Sequence, residues 1–182
     1  RPETAPLRIT ADARYVLWVN GEFVGRGPAR GYPFAQPYDE FDLAPLLRPG
    51  ANWLAAQVYQ FGPGGGAFGQ CDKGNGVHVF TGKTGLLMEG DVRFAHAPAL
   101  PIRTDATWQA RRADWHISVG APYMHGCFGF QEFKDARREP LGWQVGAESA
   151  GWQAAEEIAA PGEGPWNGFE PRGLKPMRET LA

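Results

Sequence analysis

The chain has 182 residues, of which 43% are hydrophobic, and it carries a formal net charge of −2. This length allows one main domain with a substantial core, and the scattered basic residues argue against nucleic acid or an anionic membrane as a partner. No apolar run approaches the roughly 18 residues of a membrane span, and residues 1–4 lack the features of a secretion signal, so we expect a soluble protein and leave its compartment open.

The first elements in chain order are a strand over residues 7–10 and a hairpin over residues 15–24. Residues 15–19 are aromatic or aliphatic without a polar break, which predicts a strand that is covered on both faces. Asn20 and Gly21 tolerate the positive φ angles of a type I′ turn, after which the chain returns as a second strand. This pattern is typical of an inner strand of a β-sandwich.

Short elements come next, at intervals typical of a sandwich or jelly roll. We predict a helical turn over residues 42–47 with Asp42 as its N-cap, and a short helix over residues 151–159. The further predicted strands are residues 53–61, 77–80, 85–88, 91–94, 102–104, 108–112 and 128–134. Because 25 Gly and 16 Pro favour turns over long helices, the composition predicts an all-β fold.

Glycine and proline also mark the irregular parts of the chain. The glycine-rich residues 62–70 predict a loop at a sheet edge or end. Proline and glycine recur after residue 160, which predicts an extended tail or linker over residues 161–182. We therefore expect two facing antiparallel sheets within residues 1–160, followed by a tail that leads to another domain.

Motifs for catalysis or metal binding are weak in this sequence. Residues 82–84 read Gly-Lys-Thr like the end of a phosphate-binding loop, but the first glycine and the helix that completes that motif are missing. The four histidines lack the spacing of zinc ligands, and no Gly-x-Ser-x-Gly nucleophile motif occurs. We accordingly assign no catalytic residue and no metal ligand.

Two further groups of polar residues leave alternatives open. The acidic residues 39–42 could hold calcium, although calcium loops gather more ligands around a glycine; the alternative is solvated carboxylates with Asp42 as a helix cap. Cys71 and Cys127 are too few for a disulfide framework or a paired-thiolate zinc site. A single bridge between them stays open, because only geometry decides it.

Aromatic and polar residues on two predicted loops are candidates for carbohydrate contacts. Aromatic rings offer flat faces to a sugar, and Arg or Asp side chains bond its hydroxyl groups. The candidate residues are Arg26, Arg30, Tyr32, Tyr38 and Asp39 after the first hairpin, with Phe68 and Asp72 beside the glycine-rich loop. The alternative is that these side chains anchor the loops.

Four stretches, in this order, resemble the amino-terminal β-sandwich region of bacterial α-L-rhamnosidases. They are ITADARYVLWVNGEFVGRGPAR, PYDEFDLAPLLRPGANWLAAQVYQFG, EFKDARREPLGW and PRGLKPMRET, which begin at Ile9, Pro37, Glu132 and Pro171. The resemblance implies a galactose-binding-like jelly roll. In complete family members it implies a separate (α/α)₆ barrel that hydrolyses terminal L-rhamnose with inversion, through a carboxylic acid and a carboxylate.

This chain has neither the length nor the helices for such a barrel, so the resemblance transfers no catalytic residue. It implies a noncatalytic accessory module of an α-L-rhamnosidase-like glycoside hydrolase, which binds carbohydrate such as an L-rhamnose-containing glycan or positions the catalytic domain. A purely structural sandwich and a small stand-alone hydrolase are the alternatives. Some relatives carry a calcium module with an Asp-Asn ligand pair, and since this dipeptide does not occur here, we expect no cofactor.

Overall fold

The computed structural model describes residues 1–29, 31, 34–60, 85–117, 123–125, 129–130, 132–146, 150–163, 166–176 and 179. Within them the regular secondary structure is β-strand, apart from short 3₁₀ helices over Ala44–Leu46, Ala136–Arg138 and Trp143–Val145. The strands are β1 (Pro6–Asp12), β2 (Arg14–Val19), β3 (Glu22–Gly27), β4 (Gln36–Asp42), β5 (Leu54–Tyr59), β6 (Gly85–Val92), β7 (Leu100–Arg103), β8 (Gln109–Ala110), β9 (Tyr123–His125), β10 (Gly129–Phe130), β11 (Gln153–Ala154) and β12 (Phe169–Pro171).

Two main sheets form the fold. The larger has the order β12-β4-β1-β6-β7 and the smaller has the order β3-β2-β5, while β9 pairs with β10 and β8 with β11. The main pairings are antiparallel, except that β12 runs parallel to β4. The predicted two-sheet β-sandwich is confirmed, with β12 as a parallel exception to the predicted antiparallel pairing.

The hydrophobic core lies between the two sheets. Leu7 and Ile9 on β1 are 1% exposed, and Leu17 and Val19 on β2 are fully buried, because alternate residues of a strand face the same side. The buried cluster consists of Ala5, Leu7, Ile9, Ala11, Tyr15, Leu17, Val19, Leu43, Ala44 and Met88. Residues from both sheets thus share one core.

The predicted hairpin is confirmed in detail. Asn20 and Gly21 have φ angles of 52° and 81°, as a type I′ turn requires, and β2 lies between β3 and β5. The Asn20 side chain also ties the turn to its surroundings, since its amide donates to the Leu46 carbonyl at 3.0 Å and its oxygen accepts from the Trp53 amide at 2.9 Å.

A layer of tryptophans covers the outer face of the smaller sheet. The Trp143 ring lies 5.2 Å from that of Trp18 on β2, and 6.3 Å from the rings of both Trp115 and Trp152. Trp53 joins this layer by donating its indole N–H to the Trp143 carbonyl at 3.1 Å. β2 is therefore covered on both faces, and most of the tryptophans form structure, as expected.

Two local predictions need correction. The helix predicted over residues 151–159 is wrong, since β11 pairs with β8 and the Ala155 amide donates to the Trp108 carbonyl at 2.8 Å. The turn predicted over residues 42–47 is a 3₁₀ helix over Ala44–Leu46, with Leu43 as its N-cap. The Asp42 carboxylate instead accepts from the Ala5 amide at 2.7 Å and the Ala44 amide at 3.1 Å, so it joins two chain segments.

The remaining predicted strands are found in altered form. Residues 91–92 belong to β6, which is longer than predicted, and the strands predicted over residues 102–104 and 108–112 correspond to β7 and β8. The strand predicted over residues 128–134 is reduced to β10 and a bridge between Lys134 and His116. The predicted strand over residues 77–80, the glycine-rich loop, Cys71 and Cys127 lie outside the described residues.

The chain beyond residue 160 contributes to the sandwich. Trp166 is 3% exposed, and β12 forms an edge of the larger sheet through pairs such as Phe169 with Gln36. Pairing of β12 satisfies backbone groups that a free tail would leave to water. The division into residues 1–160 and 161–182 stays a prediction, and at least one strand of the second part packs on the first.

Candidate functional site

An open groove of about 320 Å³ runs between β4 and the segment that comes after β12. One wall is formed by Tyr38, Asp39, Glu40 and Phe41, and the other by residues 171–176. We call residues 172–176 the carboxy-terminal segment. The groove contains two of the residues predicted to contact carbohydrate, which makes it the candidate site within the described part of the chain.

A buried ion pair holds the carboxy-terminal segment to the sandwich. The Arg172 guanidinium contacts both oxygens of the Asp39 carboxylate, through Nε to Oδ1 and through Nη2 to Oδ2 at 3.2 Å. The two side chains are 16% and 5% exposed. Because a charge-assisted pair is strengthened where water is excluded, this contact fixes the position of the segment against β4.

The same ion pair also connects the two sheets. The Tyr15 hydroxyl on β2 donates to Asp39 Oδ2 on β4, and Arg172 Nη2 donates to the Arg26 carbonyl on β3 at 3.1 Å. Burial, followed by the hydrogen bond to Asp39, raises the pKa of Tyr15, so the phenol stays protonated and acts as a donor. We call Tyr15, Asp39 and Arg172 the clasp.

Gly27 provides the space that the clasp occupies. A Cβ atom at this position would collide with Asp39 Oδ2 and would lie 2.9 Å from both the Tyr15 hydroxyl oxygen and Arg172 Nη2. Glycine alone leaves room here, because any other residue places carbon where the polar atoms meet. The glycine of the Arg-Gly-Pro stretch after the first hairpin therefore serves the packing between the sheets.

A second contact fastens the chain near Arg26. The Arg26 guanidinium pairs with the Glu179 carboxylate at 2.7 Å and lies 5.6 Å from the centroid of the Phe23 ring. Arg172 and Glu179 thus approach the same residue, one through its carbonyl and one through its side chain. Contacts therefore lie on both sides of residues 173–176, through Arg172 before them and through the exposed pair of Glu179 after them.

The outer face of the larger sheet carries an exposed row of charges. Arg8 on β1 pairs with Glu40 on β4 at 3.0 Å and with Glu89 on β6 at 3.6 Å, because these residues are direct cross-strand neighbours. The Arg8 guanidinium also lies 5.6 Å from the centroid of the Tyr38 ring. The hydrogen bond to Glu40 is the main cause that raises the pKa of Arg8.

The structure changes the interpretation of the predicted carbohydrate-binding residues. Tyr38 and Asp39 lie on β4 and not on a loop, because β1 and β12 provide pairing partners on either side of this strand. Arg26, on β3, is linked to Asp39 through Arg172. Arg30, Tyr32, Phe68 and Asp72 lie outside the described residues, so their contacts with carbohydrate stay a prediction.

The sequence did not reveal which side chains bond to the Asp39 carboxylate. Arg172 is 133 residues away in sequence, and Tyr15 was interpreted only as a core residue. One signal was present, since the last of the quoted family-like stretches contains Arg172. Its pairing with β4 is a tertiary contact that no local pattern contains.

Among the described residues, no group of three or more His, Cys, Asp or Glu side chains is arranged to hold a metal ion. In that part of the chain no helix has both the length and the apolar character needed to cross a membrane. The carboxylates of Asp39, Glu40 and Asp42 accept hydrogen bonds from neighbouring groups. The donors are Tyr15, Arg172, Arg8 and backbone amides.

Comparison with known proteins identifies the family. A family model described as the alpha-L-rhamnosidase N-terminal domain matches residues 1–171. The chain belongs to this family. An alpha-L-rhamnosidase of Streptomyces avermitilis is 31% identical over 176 residues, which cover 88% of this chain and 16% of that protein. The family resemblance seen in the sequence is confirmed.

Solved structures agree with this assignment. The GH78 family rhamnosidase of Bacillus sp. GL1 superposes with a TM-score of 0.76 at 36% identity, over 97% of this chain and 17% of that one. A lectin from Pleurotus ostreatus in complex with GalNAc has a TM-score of 0.54 at 24% identity, over 90% of this chain and 34% of its own, which shows a likeness of fold alone. This member of the rhamnosidase family spans about a sixth of the rhamnosidases that it matches.

Proposed function

We propose that this chain is the noncatalytic amino-terminal domain of an α-L-rhamnosidase-like glycoside hydrolase, and that it positions the catalytic part of that enzyme. The family model and the rhamnosidase relatives support the parent enzyme. One of these relatives, from Streptomyces avermitilis, is described as complexed with L-rhamnose. Terminal L-rhamnosides are therefore the substrate class that we propose for the parent.

Within the clasp, the Asp39 carboxylate is already bonded to Tyr15 and Arg172. This observation supports a positioning role over carbohydrate binding in the groove. Both carboxylate oxygens are engaged by Arg172, and one also accepts from Tyr15. A sugar hydroxyl would have to displace a buried, charge-assisted pair to reach them, which is unfavourable. The same contacts attach the carboxy-terminal segment to both sheets, and such an attachment suits a domain that sets the position of the next domain in the chain.

Deletion of residues 1–182 from the parent enzyme tests this proposal. We expect the truncated enzyme to retain its catalytic residues but to lose kcat/KM on 4-nitrophenyl α-L-rhamnopyranoside by about tenfold or more, because misplacement of domains disturbs substrate positioning. The control is the 182-residue chain alone, which should show no turnover. Unchanged kcat/KM after the deletion, or hydrolysis by the chain alone, would contradict the proposal.

A titration separates positioning from carbohydrate binding. L-rhamnose added to millimolar concentration should leave the amide NMR signals of Tyr38, Asp39 and residues 173–175 in place. Shifts confined to these residues would show that a sugar enters the groove, and carbohydrate binding would then replace positioning as the role of this site. D-galactose, titrated in parallel, is the control for nonspecific effects of sugar.

A further inference from the structure

The carboxy-terminal segment presents an exposed apolar side chain on a fixed support. Leu174 is 73% exposed and lines the groove opposite β4. The nearby Arg172 is pinned by Asp39, and Glu179 beyond it pairs with Arg26. The buried pair at Arg172, two residues before Leu174, holds this side chain beside the groove.

The walls of the groove match the composition of an interface between domains. Apolar surface comes from Leu174, Pro171 and Phe41, while Glu40 and Lys175 add opposite charges at the same groove. Interfaces between domains of one chain are of this mixed kind, with apolar contacts and a polar rim. Apolar side chains grouped in one groove indicate a contact surface, which a single exposed apolar side chain does not.

A following domain of the parent enzyme is favoured over other partners as the occupant of the groove. The rhamnosidases that this chain matches are about six times its length, and the groove is lined by the last described continuous segment of the chain. In a parent of that length, a domain that follows this one in the chain would be joined covalently to this segment. Tethering gives such a partner a high effective concentration at the groove.

We propose that this groove is the docking surface for the next domain of the parent enzyme, with Leu174 as its central apolar contact. The proposal rests on the proposed function and adds the surface through which positioning occurs. The clasp supports the surface from behind by holding the carboxy-terminal segment against β4. The contacting patch on the partner is expected to be apolar, with charges that complement Glu40 and Lys175.

Hydrogen exchange in the full-length parent tests the docking surface. We expect the amides of residues 173–175 to exchange about tenfold or more slowly in the parent than in the 182-residue chain, because docking excludes water. The substitution Leu174→Asp should return the exchange to the rate of the separate chain. The matched control is Leu141→Asp, since Leu141 is 87% exposed and does not line the groove, and it should leave the protection unchanged.

The outcomes separate this proposal from the positioning role. Equal exchange rates in the parent and the separate chain would overturn the docking surface, even if deletion of residues 1–182 lowers activity. Protection of residues 173–175 with unchanged activity after the deletion would support the docking surface and contradict positioning. Dimerisation of the 182-residue chain that Leu174→Asp abolishes, measured by sedimentation, would assign the groove to a second copy and overturn the proposal.

Discussion

Asp39 and Glu40 are neighbours on β4, yet they lie in opposite environments. The Asp39 side chain is 5% exposed and is bonded by Arg172 and Tyr15 between the sheets. The Glu40 side chain is 59% exposed on the outer face, where it pairs with Arg8. Alternation along a strand sends adjacent residues to opposite faces, so one carboxylate is a structural connection and the other is part of a solvated row.

The Asp39–Arg172 ion pair is buried, whereas the Glu40–Arg8 ion pair is exposed to water. Exposed ion pairs exchange one well-hydrated state for another and contribute little to stability. A buried pair, by contrast, leaves an uncompensated charge behind when one partner is removed, which is strongly destabilising. The two regions should therefore respond very differently to the same chemical change.

The largest effect is expected for Asp39→Asn. This substitution keeps the shape of the side chain but leaves the Arg172 guanidinium without its counter-charge, so the free energy of unfolding should fall by about 3–5 kcal/mol. Urea denaturation of the 182-residue chain measures the loss. The matched control is Glu40→Gln, which should leave the urea midpoint nearly unchanged, and equal losses for the two variants would refute the contrast.

Tyr15→Phe should have an intermediate effect, because it removes the donor to a charged acceptor at a cost of about 1.5–3 kcal/mol. The pKa of Tyr15 is raised in the folded state, so the unfolded state loses this proton first. Its contribution to stability is complete below about pH 10 and declines as the pH rises further.

This dependence is checked by the urea midpoints of the unsubstituted 182-residue chain and of Tyr15→Phe, compared at about pH 8 and about pH 11. The difference between the two urea midpoints should narrow at the higher pH, since only the unsubstituted chain loses the contribution of Tyr15. The other tyrosines are common to both proteins and cancel in the difference. A gap that widens with pH would show that the sign is wrong.

Gly27→Ala probes the space around the clasp and is expected to cost about 1–3 kcal/mol, as overpacking of a filled site does. The added methyl group would displace the carboxylate of Asp39 from Tyr15 and Arg172. Gly173→Ala is the control, since nothing lies within 4 Å of a Cβ at that position. Comparable thermal unfolding temperatures for the two variants would argue against close packing at Gly27.

The sequence was most informative where structure is set by neighbouring residues. Asn20 and Gly21 determine the hairpin turn through their own φ angles, and the unbroken apolar run of residues 15–19 predicts a strand that is covered on both faces. The family-like stretches located the sandwich correctly. Each of these signals acts over a few residues, which is the range of turn chemistry and strand periodicity.

Errors arose where distant strands decide the outcome. Residues 38–39 were placed on a loop because proline and glycine precede them, yet β1 and β12 pair with both edges of β4. Residues 151–159 have a helical composition, but Gln153–Ala154 form the strand β11, which pairs with β8. Propensity is a weak preference that long-range pairing overrides.

For the candidate site, the sequence alone supplied the residue types and the tertiary structure supplied their roles. Arg26, Tyr38 and Asp39 were selected because their side chains suit a sugar, a property of each residue by itself. Whether Asp39 faces a ligand or an internal partner depends on Arg172, which the pairing of β12 with β4 places beside it. The free energy of a buried ion pair exists only in the assembled sandwich, so no local stretch of sequence contains it.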